Sequence, residues 1–159
     1  MTNQFESKIA LVTGGNAGIG QSVALAFAQE GAKVVVAGRR KSEGDETVAM
    51  IRDLGGEAHF IKADVSKTDD VKAMIETCVS IYGGLDYAVN NAGIEGTPYI
   101  PTAKYEENVW DKVIDINLKG VWLCMKYEIA AMLERGQGAI VNMSSVTGLK
   151  GGRIGVAYY

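Results

Sequence analysis

The sequence has 159 residues, 47% hydrophobic and 22% charged, with a formal net charge of −3. Such a composition suits one domain with a real core, and it carries no basic excess with which to grip nucleic acid or an anionic membrane. Its longest apolar runs fall far short of the roughly 18 residues that a membrane span needs, and Met1–Lys8 has no apolar signal core, so the expectation is a cytoplasmic protein.

The elements alternate from the start. Ile9–Val12 is a short branched apolar run with the character of a buried strand, and Thr13-Gly14-Gly15-Asn16-Ala17 turns it. From Gly18 an amphipathic helix opens, with Val23, Ala24, Phe27 and Ala28 on one side. A strand, a glycine turn and a helix start aim several backbone N–H groups and a positive helix end at one spot, which suits a phosphate. The glycines let that backbone approach the anion closely. Glu30-Gly31-Ala32 stops the helix, Lys33–Ala37 is a second buried strand, and Lys41–Leu54 is a second helix ended by Gly55-Gly56. Ala58–Ile61 is a third strand. Apolar residues at helical spacing over 71–82 predict a third helix, stopped by Gly83-Gly84. Leu85–Val89 is a fourth strand that runs into Asn90-Asn91-Ala92-Gly93. After a long loop, one helix is predicted from Glu106 to Leu133, and Ala139–Met143 is a fifth strand. Continuous apolar strands joined by helices predict a doubly wound α/β domain with a parallel sheet, and its ligand belongs outside the carboxyl ends of the strands.

Five clusters fall on that rim: Thr13-Gly14, Gly38-Arg39, Asp64-Val65, Asn90–Gly93 and Ser144-Ser145. The spacing Gly14, Gly18, Gly20 in a strand-to-helix turn points to a dinucleotide site, the alternative being a tight turn with no ligand. About 20 residues on, an acidic residue would bind a ribose hydroxyl; this chain has Gly38, Arg39 and Arg40 there instead. Guanidinium groups suit a 2′-phosphate, so NADP is expected over NAD; the alternatives are that the arginines are solvated charges at a helix start, or that Glu43 reaches a ribose hydroxyl, which favours NAD. Asp64 either accepts from an adenine amino group or serves a turn or helix start. The asparagines at 90 and 91 either approach the cofactor ribose or tie neighbouring strands together. Asn117 is the odd residue in the apolar helix: it either marks a kink whose amide holds a water, with Gly120 loosening the helix nearby, or is a satisfied core amide. Ser144, Ser145 and Tyr158 supply hydroxyls that could grip one carbonyl or alcohol oxygen; Lys150 and Arg153 lie close in sequence to Tyr158. His59 falls on the third strand, away from the rim, so a histidine-based triad is not expected. Cys78 and Cys124 read as reduced, half-buried thiols with no metal or disulfide role. The helix 106–133 is apolar nearly all round, Trp110 and Trp122 included, which predicts a subunit interface on the face turned away from the sheet.

Together these residues resemble the classical short-chain dehydrogenases/reductases. Thr13 to Gly20 resembles the family's TGxxxGxG turn, Asn90 to Gly93 its NNAG, Asn117 its active-site asparagine, Ser145 its serine and Tyr158 the tyrosine of its YxxxK. The resemblance implies a Rossmann-type, three-layer sheet that lacks the family's last strands and helices, and hydride transfer between NADP(H), or NAD(H), and a small secondary alcohol or carbonyl. It implies Tyr158 as general acid/base, Ser145 as the group that holds the substrate oxygen and Asn117 as the positioner of a relay water. The implied cofactor set is Gly14, Asn16, Gly18, Ile19, Gly20, Arg39, Asp64, Val65, Asn91, Ala92 and Gly93, with no metal, and the implied assembly is a homo-oligomer, a dimer or tetramer. The family's lysine four residues after the tyrosine falls past Tyr159, so the sequence is expected to be a fragment of a longer dehydrogenase. A nucleotide-binding or interaction module without turnover is the alternative.

Overall fold

The computed structural model describes residues 3–149. Five parallel strands form one sheet in the order β3-β2-β1-β4-β5. They are β1 (Ile9–Thr13), β2 (Lys33–Gly38), β3 (Glu57–Lys62), β4 (Tyr87–Asn90) and β5 (Ala139–Asn142). Every residue of β1 is buried, as expected of a central strand covered on both faces.

Alternation along the strands sorts the core into two layers. Ala10, Val12, Val34, Val36 and Val89 face α1 (Gly18–Gln29) and α2 (Lys41–Asp53), and Ala24, Ala28, Val48 and Ile51 meet them. Leu11, Val35, Ala37 and Ala88 face the opposite way, towards α3 (Thr68–Tyr82) and the last helical segment, and meet Val71, Met74, Cys78, Leu123 and Cys124. The chain winds outward from β1 to β3 and then crosses to β4 on the other side of β1. The switch point therefore lies between the carboxyl ends of β1 and β4. At the amino end of the sheet Phe5 packs against Phe27 and Tyr87, with ring centroids 5.0 and 5.1 Å away.

Three expectations change. The helix read as continuous from Glu106 to Leu133 is two α-helices, α4 (Glu107–Ile114) and α5 (Val121–Arg135), joined by a π-helical turn over Asp115–Gly120. Gly120 lies against Val65, where a Cβ would stand 3.0 Å from the valine Cγ2, and Asn117 is turned towards the loop after β4. The apolar period runs through this turn unbroken, so periodicity alone misses it. Leu85 and Asp86 precede β4 instead of belonging to it. Asp86 works as a joint: its N–H donates to Ile9 O at 3.0 Å, its carbonyl accepts from Ala139 N at 3.0 Å, and its carboxylate accepts from Ile9 N at 2.9 Å and from Arg135 Nε at 2.9 Å. The two cysteines are fully buried, not half-buried, and burial pushes each thiol up to about 12.

One face of the α4–α5 segment is buried through Val113, Ile116, Leu123 and Met132, while Trp110, Leu118, Trp122, Ile129 and Leu133 are exposed on the other. Among the described residues no helix is long and apolar enough to cross a membrane. His59 is exposed on edge strand β3.

Candidate active site

A cleft of about 270 Å³ opens at the carboxyl ends of β1, β2, β3 and β4. Four of the five sequence clusters line it, through Gly14, Gly38, Arg39, Asp64, Val65, Asn91, Ala92 and Gly93, and Asn16 joins them. The sequence pointed to Arg40 as well as Arg39, but it missed Ala17, Ala37, Ala63, Ile94 and Ile116 as lining residues. Ala17, Ala37 and Ala63 are chain neighbours of residues it did select. Ile94 and Ile116 carry no chemical signal.

The floor is built by backbone that no side chain may obstruct. Gly14 turns the chain at φ +63, and a Cβ there would stand 2.9 Å from Asn91 Nδ2 and 3.0 Å from Ala92 Cα. A Cβ on Gly20 would stand 2.3 Å from Gly14 O and 2.5 Å from Asn91 Nδ2. Gly20 therefore works from beneath: it lets the start of α1 press against the turn. Gly18, at φ +54, and the exposed Ile19 do not line the cleft either. The first residue before α1 is Ala17, whose side chain offers no cap, and the first turn holds no acidic residue. Its N–H groups thus keep their positive field for whatever enters the cleft.

Polar side chains at this rim are largely spent on holding strand ends. Thr13 Oγ1 accepts from the backbone N–H of Asn91 at 3.0 Å and of Ala92 at 3.1 Å. Asn91 Nδ2 donates to Thr13 O at 3.1 Å and Gly14 O at 3.4 Å. The strand-tying reading of these asparagines is thus the one the contacts display. Asn90 does the same deeper in the sheet, donating to Asn142 Oδ1 and Glu128 Oε2, each at 3.0 Å.

The far wall carries the charge. Gly38 has no room for a side chain, because a Cβ would stand 2.3 Å from Asn16 Oδ1. Arg40 pairs with Glu43 at 2.8 Å, so the carboxylate that could have reached a ribose is engaged. Arg39 makes no ion pair or hydrogen bond among the described residues, and its field reaches Asp64. Burial pushes the Asp64 carboxyl up, but the Ser66 hydroxyl and N–H, at 2.7 and 3.1 Å, together with Arg39 and Lys67 hold it below the usual carboxylate range. Asp64 is thus ionised, and one of its oxygens serves the turn into α3.

Asn117 is a satisfied amide. Its Oδ1 accepts from Ile94 N at 2.9 Å and its Nδ2 donates to Ile94 O at 2.8 Å. It pins the loop that follows Gly93, and a π-helical turn at such a place is a recurrent feature of functional sites. Ser145 lies past β5, half-buried, and its Oγ accepts from Thr147 N at 3.3 Å to open the 3₁₀ turn Val146–Gly148. It does not line the cleft. Tyr158, Lys150 and Arg153 lie outside the described residues.

The family described as short chain dehydrogenase matches residues 8–159. The chain belongs to this family. Short-chain dehydrogenases similar to it include a 3beta-hydroxysteroid dehydrogenase of Mediterraneibacter gnavus, 44% identical over 98% of this chain and 55% of that protein. A cyclohexanol dehydrogenase of an Acinetobacter species is 44% identical over 95% of this chain and 60% of that protein. Among solved structures, an NAD+-bound xylitol dehydrogenase superposes with a TM-score of 0.94 at 30% identity, covering 98% of this chain and 59% of that one. The chain spans a little over half the length of these short-chain dehydrogenases.

Proposed function

We propose that this chain forms the nucleotide-binding side of an NADP(H)-preferring dehydrogenase/reductase that acts on a small secondary alcohol or the corresponding carbonyl. One observation carries the reading: an uncapped helix start opens on a cleft whose opposite wall is Gly38-Arg39-Arg40, with no carboxylate at the strand end. A pyrophosphate suits this turn because Gly14 and Gly20, having no Cβ, let the turn close on Asn91 and on the start of α1, where backbone N–H groups favour an anion. Arg39 meets a 2′-phosphate, and Asp64 accepts from an adenine amino group with the carboxylate oxygen turned away from Ser66. The bound state of the similar xylitol dehydrogenase supports a nicotinamide dinucleotide, and Arg39 favours its phosphorylated form in this chain.

The bound nicotinamide supplies or takes up the hydride. The protein's part is the proton and the geometry. Tyr158 gives the proton to, or takes it from, the substrate oxygen, and Ser145 holds that oxygen by a hydrogen bond. Asn117 fixes Ile94 and hence the loop beside Gly93, which positions the nicotinamide end of the cleft. The exposed apolar stripe of α4 and α5, with Trp110 and Trp122, supports a homo-oligomer.

Two variants of the protein at its full natural length test this. Tyr158→Phe abolishes turnover while the nucleotide still binds; unchanged turnover refutes the proton role. Arg39→Ala weakens NADPH about tenfold to a hundredfold, the worth of one charge-assisted hydrogen bond, and leaves NADH nearly unchanged. Equal losses refute the 2′-phosphate assignment.

A further inference from the structure

The apolar layer beneath the cleft rim contains one carboxyl group. Glu128 sits on the buried face of α5 with Cys124 and Met132 and is 0% exposed. Its Oε2 accepts from Asn90 Nδ2 at 3.0 Å. The other carboxyl oxygen, Oε1, is buried without a hydrogen-bond partner, and so is Asn90 Oδ1. Both are acceptors in a buried, largely apolar layer, and neither has a donor among the described residues. Two orphaned acceptors on side chains already in contact make a costly arrangement that one added proton removes.

The surroundings disfavour the anion. From β4 the carboxyl meets the neutral amide of Asn90, which in turn donates to the amide oxygen of Asn142 on β5. The buried residues of α3, packed beside α5, are Val71, Met74, Ile75 and Cys78, and on its own helix the titratable neighbour is Cys124. Both thiols are pushed up to about 12 by burial and so are neutral. No cation among the described residues pairs with Glu128. Burial raises its carboxyl to about 7, against the lowering pull of the Asn90 amide.

We propose that Glu128 is a positioning residue of the site, held as the neutral acid, whose O–H donates to the Asn90 side-chain oxygen and fixes the carboxyl ends of β4 and β5 together. The acid and the amide then face each other as a closed pair: Asn90 Nδ2 donates to Oε2, and Oε1–H donates to Oδ1. Asn90 is the junction this pair holds. Its backbone leads directly into Asn91–Gly93 of the cleft wall, its carbonyl accepts from Met143 N at 2.9 Å, and its amide holds Asn142, two residues before Ser144. One proton thus sets the spacing between the nucleotide wall and the serine segment. As pH rises through neutrality the proton leaves, the anion faces Asn90 Oδ1, and the rim loosens. The effect on ligand rests on the nucleotide reading of the cleft; the protonation does not.

The test compares the full natural protein with its Glu128→Gln and Glu128→Leu variants at about pH 5.5 and about pH 8.5. Glutamine reproduces the donor and acceptor of the neutral acid. The glutamine variant therefore binds NADPH like the parent at the lower pH and keeps that affinity at the higher one, where the parent loses it severalfold. The leucine variant is weaker at both. In the infrared spectrum, without nucleotide, the parent shows a protonated-carboxyl band at the lower pH that the glutamine variant lacks and that fades at the higher pH. The proposal is overturned if that band is absent, if glutamine is as damaging as leucine at the lower pH, or if parent and glutamine variant follow parallel pH profiles. Should the leucine variant not fold, the parent–glutamine pair still decides. A protein that shows the band but binds no nucleotide refutes the proposed function and leaves the protonated Glu128 standing.

Discussion

Replacing Gly20 with alanine is the sharpest probe of how the nucleotide turn is built. The added methyl would stand 2.3 Å from Gly14 O and 2.5 Å from Asn91 Nδ2. Neither neighbour is free to yield. Gly14 is held in a left-handed turn, and Asn91 Nδ2 is committed to Thr13 O at 3.1 Å. To reach ordinary contact the start of α1 must retreat from β1 by about an ångström, or Asn91 must release the turn. Overpacking of this kind costs about 1–3 kcal/mol, and loss of the Asn91 bond adds about 1 kcal/mol. The expected destabilisation is therefore about 2–4 kcal/mol, read as a lowered denaturation midpoint with an unchanged slope. The retreat also draws the helix N–H groups away from the cleft, so NADPH affinity, measured by fluorescence titration, should fall tenfold or more. Gly18→Ala is the control. Nothing lies within 4 Å of its Cβ, so only the left-handed φ of +54 opposes it, at about 1–2 kcal/mol. A Gly20→Ala protein with parental affinity and stability, or a Gly18→Ala protein that is the worse of the two, refutes this account of the turn.

Removing Asp86 tests the opposite end of the sheet. Asp86→Ala leaves the buried Ile9 N–H unpaired and strips Arg135 of two bonds, at 2.9 and 3.2 Å, for an expected loss of about 3 kcal/mol. Burial pushes this carboxyl up, but Arg135 and the Ile9 N–H more than offset it, so its folded pKa is depressed. Its contribution is then fully present above the usual carboxylate range and is lost as pH falls through the depressed value. The parent and Asp86→Asn should converge in strongly acidic urea titrations and diverge near neutrality; a constant gap refutes the linkage. Glu128 has the opposite sign. Its folded pKa of about 7 lies above the ordinary 4.5. Stability is complete below about pH 4 and declines as pH rises through about 7, so Glu128→Gln should gain on the parent by about 3 kcal/mol at about pH 8.5 and match it at about pH 4.

What the sequence disclosed about this site followed from how far apart the interacting residues stand in the chain. The turn from Thr13 to Gly20 is local: its glycine spacing, the strand before it and the helix after it all fall within one short window, and the cleft opens there. Even so, the glycines look alike in the sequence and differ in the fold, Gly14 lining the cleft and Gly20 supporting it from below. Asn117 stayed open between two roles because its partner, Ile94, lies 23 residues earlier in a loop with no pattern of its own. Asp64 stayed open for a different reason: Ser66 and Arg39 both act on it, one locally and one from another strand end. Glu128 was missed altogether. A single acid on an apolar face reads as a solvent-facing interruption, and its partner Asn90 stands 38 residues away. The π-helical turn left no mark because the segment is apolar nearly all round, so a local change of pitch moves no polar stripe.

The hydrogen bonds at the rim also explain why residue type alone misleads here. Thr13 and Asn91 join β1 to β4, Asn90 and Asn142 join β4 to β5, and Asn117 joins the π-helical turn to the loop after Gly93. Each is a polar side chain of the sort a ligand would use, yet each spends its bonds within the protein, on backbone, on other amides or, for Asn90, also on the Glu128 carboxyl. What the cleft presents instead is the Gly14 turn, Ala17 just before the uncapped start of α1 and the guanidinium of Arg39, the groups that the proposed nucleotide would meet. That division of labour has a physical basis. Parallel strands end without hairpins, so their carboxyl ends need side chains to fix them, and a turn fixed in this way presents backbone dipoles that do not have to reorganise when an anion arrives. The strand-end asparagines therefore act on the ligand through the geometry they impose. Their loss should raise the cost of binding more than it removes any direct contact.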